Sequence, residues 1–287
     1  MKKYSNNLSI KVQAGFSLVD VMVGMVIALL GVIIIFQVFS VSESVKRTTT
    51  SGGDAVQSGA LGLYTLERSL KQAGYGIFSS TNIPPLPSDP VGTAPVTITP
   101  AAAANGSDSI VLQYRQNWDF GPFPPNPVVF ASAVPPALTV ETITVNALAQ
   151  LVSTITVGGA AAASSVIADG IVLLKAEYGT DTSGDGDLES GEWNQAVPAN
   201  VLSVLAVRLA VVARSAQPEK PSVVGGACDT TLINTPAYPA WIDSATVPLD
   251  ISANLGLGAG VPATEWRCYR YKTFESTVPL RNVIWRP

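Results

Sequence analysis

A chain of 287 residues is long enough to bury a substantial core, and its 17 Lys and Arg against 21 Asp and Glu leave a net charge of −4. It contains no histidine, which removes every imidazole-based triad and every His-ligated zinc site and argues against an enzyme. No basic stripe interleaved with aromatics is present, so nucleic acid is not a partner the composition supports.

The first residues, "MKKYSNNLSIKVQAG", carry Lys2, Lys3 and Lys11 and no acid, so this end belongs on the cytoplasmic side of a membrane. Val21 to Ser42 is a run of 22 residues without a charge. As a helix it would be about 33 Å long, enough to cross a bilayer core. The small residues Ala14 and Gly15 precede this run, whereas a secretory signal places its cleavage site after the apolar stretch. A cut after Gly15 would remove residues 1–15 and leave the apolar helix on the mature chain. Asp20 stands at the edge of the run, where a helix N-terminus favours a carboxylate.

Polar residues follow, and Gly52-Gly53 is a weak point for a helix, at about 1 kcal/mol for each glycine against Ala. Helical spacing then resumes, with Val56, Ala60, Leu63, Leu66 and Leu70 on one stripe, until Gly74 and Gly76 stop it. The reading is one long helix over 16–74, membrane-spanning over about 16–42. A β-rich extracytoplasmic domain over 75–287 follows. "DSIVLQYRQ", "LTVETITV", "STITVGG", "GIVLLKAEYG" and "VLAVRLAVVAR" read as its strands. The Pro-rich stretches "NIPPLPSDPVGTAPVTITPAAAANG" and "FGPFPPNPVVFASAVPPA" read as connecting loops. The expected fold class is α+β, a long N-terminal helix packed on an antiparallel sheet.

"DTSGDGDLESGE" (181–192) has the spacing of a twelve-residue EF-hand loop. Asp181, Ser183, Asp185, the carbonyl of Asp187, Glu189 and Glu192 are the candidate Ca²⁺ ligands. A strand-like segment precedes it, where an EF-hand has a helix, and Asp/Gly-rich turns between strands also occur without metal. Ca²⁺ would act there as a structural clamp. Cys228 and Cys268 fall in the extracytoplasmic part, where disulfides persist. A bridge would close a loop of about 40 residues, worth roughly 4 kcal/mol in the chain-entropy view. The alternative is two free thiols.

Gly15-Phe16-Ser17-Leu18-Val19-Asp20 resembles the Gly-Phe-[Ser/Thr]-Leu-x-Glu start of type IV prepilins, with Asp20 one methylene shorter than the usual Glu. "LGLYTLERSLKQAGYGI" (61–77), "VLAVRLAVVARS" (204–215) and "WRCYRYKTFESTVPLRNVIWRP" (266–287) are similar to the PilW-type minor pilins. That resemblance implies a type IV pilin-like fold, cleavage by prepilin peptidase between Gly15 and Phe16, and N-methylation of Phe16. It also implies pairing of Asp20 with the N-terminal amine of a neighbouring subunit. The expected role is pilus assembly and initiation at the pilus tip. The expected partners are other minor pilins, the major pilin and a tip adhesin. The expected location is the inner membrane with the C-terminal domain in the periplasm, and the cell surface after assembly. A minor pseudopilin of a type II secretion system shares the same plan and is the alternative.

Overall fold

The computed structural model describes residues 17–75, 77, 94–103, 105–115, 137–200, 203–219, 249–252 and 265–284. The chain divides into two compact units, residues 1–47 and 48–287. One helix, α1 (Leu18–Gln72), contributes to both. It runs through Gly52 and Gly53 without interruption, so the expected weak point does not break it.

Within the first unit the Ser17 side chain caps the helix, accepting from the Val19 amide at 3.3 Å, and Asp20 sits in the first turn. From Leu18 to Glu43 the helix is long and apolar enough to cross a membrane. Its side chains are exposed all round, Phe36 and Phe39 by 67 and 68%. A helix apolar on every side needs an apolar surround.

The second unit holds two antiparallel sheets. β1 (Val96–Thr99), β2 (Ser109–Arg115), β3 (Leu138–Val145), β4 (Gln150–Val157) and β5 (Ala163–Asp169) form a meander in chain order. β6 (Ile171–Thr180), β7 (Trp193–Asn194), β8 (Val204–Arg214) and β9 (Tyr271–Pro279) form the second sheet in the order β7-β6-β8-β9. A last helical turn, α2, covers Arg281–Ile284.

Each of the five segments read as strands holds all or most of one strand, β2, β3, β4, β6 or β8. Four strands escaped that reading. β1 lies inside a stretch read as a loop, with Pro95 and Pro100 flanking it and not interrupting it. β5 is exposed and rich in small residues, β7 has two residues, and β9 alternates only weakly.

The main core gathers Leu66 and Leu70 of α1 with Ile110, Leu112, Ile143, Leu151, Leu174 and Leu209 of both sheets. Each such fully buried side chain contributes roughly 1.5–3 kcal/mol. A second apolar layer, with Val172, Leu173, Val212, Leu249 and Trp266, covers the other face of β6 and β8. Both faces of these two strands are therefore buried, which explains their nearly continuous apolar sequences.

The buried face of α1 differs from the expected stripe. Leu66 and Leu70 are on it, but Val56 and Ala60 are exposed, and Ala55, Gly59 and Gly62 take their places. The Phe274 ring lies where a side chain at Gly59 would be, and a Cβ at Gly62 would stand 3.4 Å from Leu151 Cδ2. Missing side chains let the sheets approach the helix closely, and a search for large apolar residues cannot see them.

Candidate functional site: the anchor, the acidic loop and the buried carboxylates

Gly15 and Phe16, the expected processing site, and Cys228 lie outside the described residues. Asp20 is exposed in the first turn of α1, on the same apolar segment. Cys268 is buried at the end of a 3-10 turn (Glu265–Cys268), packed with Tyr269 and Tyr271.

The acidic loop is built around Glu192. Its Oε1 accepts from the Thr182 amide (2.7 Å), the Thr182 hydroxyl (2.8 Å) and the Ser183 amide (2.9 Å), while Oε2 accepts from the Glu189 amide at 3.1 Å. Four donors favour the ionised form. The bond from the Glu189 amide is the largest influence, and together they hold the Glu192 carboxyl at about 2, well below its ordinary value. Asp181 accepts from the amides of Gly184 (2.5 Å) and Gly186 (3.0 Å), and from the Ser183 hydroxyl at 3.2 Å. Asp185 accepts from the Asp187 amide at 3.0 Å. Asp187 and Glu189 are exposed.

The twelve-residue spacing predicts oxygens converging on a cation, and the fold uses them differently. β6 feeds directly into the loop where an EF-hand would have a helix, and Glu192 turns inward as an acceptor for loop amides. Among the described residues no three acidic or thiol side chains gather as metal ligands. In this arrangement the carboxylates of Asp181 and Glu192 face loop amides, while Asp187 and Glu189 are exposed.

Beside the loop lies an open cleft of about 450 Å³, bordered by Thr180, Thr182, Glu192, Asn194, Pro198 and Ser203. Its one carboxylate already accepts on both oxygens, so no base faces a nucleophile among these residues.

Three buried carboxylates that the sequence reading passed over organise the second unit. Glu141 on β3 accepts from the hydroxyls of Ser153 (2.7 Å), Ser69 (3.2 Å) and Tyr114 (3.2 Å), tying α1 to β2, β3 and β4. Asp108 binds Lys175 Nζ at 3.1 Å and accepts from the amides of Ala101 and Ala176 and from Gln195 Nε2. Its own amide donates to the Leu174 carbonyl, so this loop covers the edge of β6 much as a strand would. Glu177 pairs with Arg208 directly opposite on β8 at 2.5 Å, and the Arg208 guanidinium lies over the Trp193 ring. Glu141 falls on the inward parity of β3 and Asp108 at the matching position just before β2, which was the available signal. Glu177 lies on β6, whose two faces are both buried, so parity gave none. Tyr178 joins the sheets, its hydroxyl accepting from the Ile98 amide at 2.5 Å. Burial raises the pKa of that hydroxyl.

These features define an α+β protein with one apolar N-terminal helix suited to a single-pass anchor and a two-sheet domain stabilised by buried polar contacts. Residues 137–282, just over half of the chain, match the family described as PilW, type IV pilus-assembly protein W, and the chain belongs to that family. Among solved structures it is similar to a type IV-like pilin from Thermus thermophilus, at 19% identity and a TM-score of 0.43, over 79% of this chain and 97% of that one. No curated protein matches the chain.

Proposed function

We propose that this chain is a minor pilin taking part in type IV pilus assembly and initiation at the pilus tip. The observation that carries the reading is the exposed apolar segment Leu18–Glu43 on a member of the pilus-assembly family. In a monomer such a helix rests in lipid, and in a filament it rests against other helices of its kind. Prepilin peptidase would cut between Gly15 and Phe16 and methylate the new amine. Asp20 would then pair with the N-terminal amine of a neighbouring subunit, since a carboxylate near lipid is best tolerated when paired.

The partners in this reading are other minor pilins, the major pilin and a tip adhesin. The protein sits in the inner membrane with its folded domain in the periplasm until it enters the filament. A Cys228–Cys268 bridge belongs to the same proposal, supported by the burial of Cys268 in a domain assigned to an oxidising compartment.

Deletion of the gene tests the role. Loss of surface pili and twitching with normal exoprotein secretion supports it, and loss of secretion with intact pili would transfer the chain to a secretion pseudopilus. Intact mass and N-terminal sequencing of the membrane-purified protein test the processing. A start at N-methyl-Phe16 that depends on the peptidase supports cleavage, and an intact Met1 rejects it.

A further inference from the structure

α1 passes through three surroundings, and only two of them support a helix. Over Leu18–Glu43 it is apolar on every side, and in lipid each backbone group must find its partner within the helix. From Ala55 onward it packs on the sheets, with Ala55, Leu66 and Leu70 fully buried. The stretch between them has neither support. Thr49, Thr50 and Gly53 are exposed, and among the described residues a Cβ at Gly52 or Gly53 would meet only open space. The boundary between the two compact units falls here, between Arg47 and Thr48.

The sequence is weakest at the same place. Thr48, Thr49, Thr50, Ser51, Gly52 and Gly53 follow one another, with no strong helix former among them. In a helix the threonines lose side-chain rotamers, and Ser competes for backbone hydrogen bonds. Gly gives up more backbone freedom than any other residue. A helix of poor propensity holds in water mainly through an apolar face packed on something else. This run has no Leu, Ile, Val, Met or aromatic residue with which to build one. Water can also take up the backbone groups that an opening here releases, which neither lipid nor a packed core can do.

We infer that α1 opens locally over Thr48–Gly53 and acts there as a hinge, so that the domain turns on an anchor that stays helical. The inference rests on the reading of Leu18–Glu43 as a membrane segment and is independent of any role in a pilus. The unbroken and opened forms of this stretch exchange with one another, while the flanking turns keep their bonds. A hinge absorbs large changes of φ and ψ over a few residues, and the two glycines accept values closed to other side chains. Only backbone bonds that water replaces are lost, so an opening leaves the packing of Ala55, Leu66 and Leu70 intact. A stiff rod would present a membrane-held domain in one attitude, whereas this hinge gives it a range.

The test uses the full chain in lipid nanodiscs, as wild type and as the double variant Gly52→Ala with Gly53→Ala. Both new methyl groups enter open space, so the variant stiffens the helix without displacing a neighbour. Spin labels carried on non-cysteine side chains replace Val41 and Tyr64, both exposed, and report their separation. An unbroken helix sets one distance between them, about 35 Å. The expected result is a broad distribution with a component well short of that value in the wild type, narrowed to the single distance in the variant. Amides of Thr49–Gly53 are expected to exchange at least tenfold faster than those of Leu66–Leu70, and to slow by roughly tenfold in the variant. A single narrow distance in the wild type, or exchange at Thr49–Gly53 as slow as in the packed turns, overturns the inference. So does a distribution that stays equally broad in the variant, which would place the motion elsewhere. If the amides of Leu18–Glu43 exchange freely in the nanodisc, the membrane reading fails and the inference with it. The exchange comparison along the wild-type chain stands even if the variant misfolds.

Discussion

The side-chain amide of Asn282 donates to the carbonyl of Ala73 at 3.1 Å and, at the same distance, to that of Lys71. The short helix α2 thereby closes the end of α1, supplying donors to carbonyls that a helix C-terminus leaves without partners. Leu280, two residues earlier, is buried in the main core, and its amide donates to the Leu205 carbonyl.

Asn282→Ala removes both donors. Net hydrogen-bond contributions of roughly 0.5–1.5 kcal/mol each predict a loss of about 1–3 kcal/mol. Chemical denaturation of the full chain in detergent, followed by fluorescence, measures it. Asn282→Asp, which replaces the amide donor with a carboxylate, should be no better than Ala.

Gly59 and Phe274 form a second test. Gly59→Ala places a methyl group into the Phe274 ring, and overpacking of this kind costs about 1–3 kcal/mol. Phe274→Leu should recover part of that loss in the double variant. A double-mutant cycle showing no coupling would mean that the ring does not sit against the helix at this point.

Glu141 holds three hydroxyls in a buried seam. Glu141→Ala leaves those hydroxyls without their acceptor and should cost about 2–3 kcal/mol, whereas Glu141→Gln keeps an acceptor oxygen and should cost less. Denaturation midpoints of the two variants, measured side by side, decide the order.

The acidic loop responds to pH through Glu192. Its folded-state pKa, about 2, lies below its ordinary value of 4.5. The carboxylate therefore contributes stability that is fully present above about pH 4.5 and is lost as pH falls through 2. Amide exchange at Thr182, Ser183 and Glu189 should accelerate across that window. In Glu192→Gln the acceleration should already be present at neutral pH. Added Ca²⁺ should leave melting unchanged, because both oxygens of Asp181 and of Glu192 already accept amide protons. A Ca²⁺-dependent rise in melting temperature would reverse this conclusion.

Much of the fold was legible because burial leaves a period in the sequence. Leu138–Val145 alternates, and Ile171–Thr180 is almost continuously apolar because both of its faces are covered. The anchor was legible because lipid demands an unbroken apolar run. What escaped detection depended on contacts distant in the chain. Gly59 is informative only once Phe274 is beside it, and β5 carries no strong pattern because nothing within the described residues covers its outer side. The acidic loop is a different case. A spacing shared with EF-hands was present, but the fold gives Glu192 to backbone amides, and spacing alone cannot show which way a carboxylate turns.

The bond between Asn282 and Ala73 spans 209 residues. At ordinary synthesis rates, about 5–20 residues per second, the end of α1 waits roughly 10–40 s for its cap. Gly59 waits slightly longer for Phe274, which lies farther along the chain from it. Through that interval the small-residue face of α1 and one edge of β8 have no covering, so the newborn domain passes through a stage in which it can be captured by a chaperone or by the wrong strand. A ribosome stalled before β9 would leave a chain with its membrane helix complete and its folded domain open along one side.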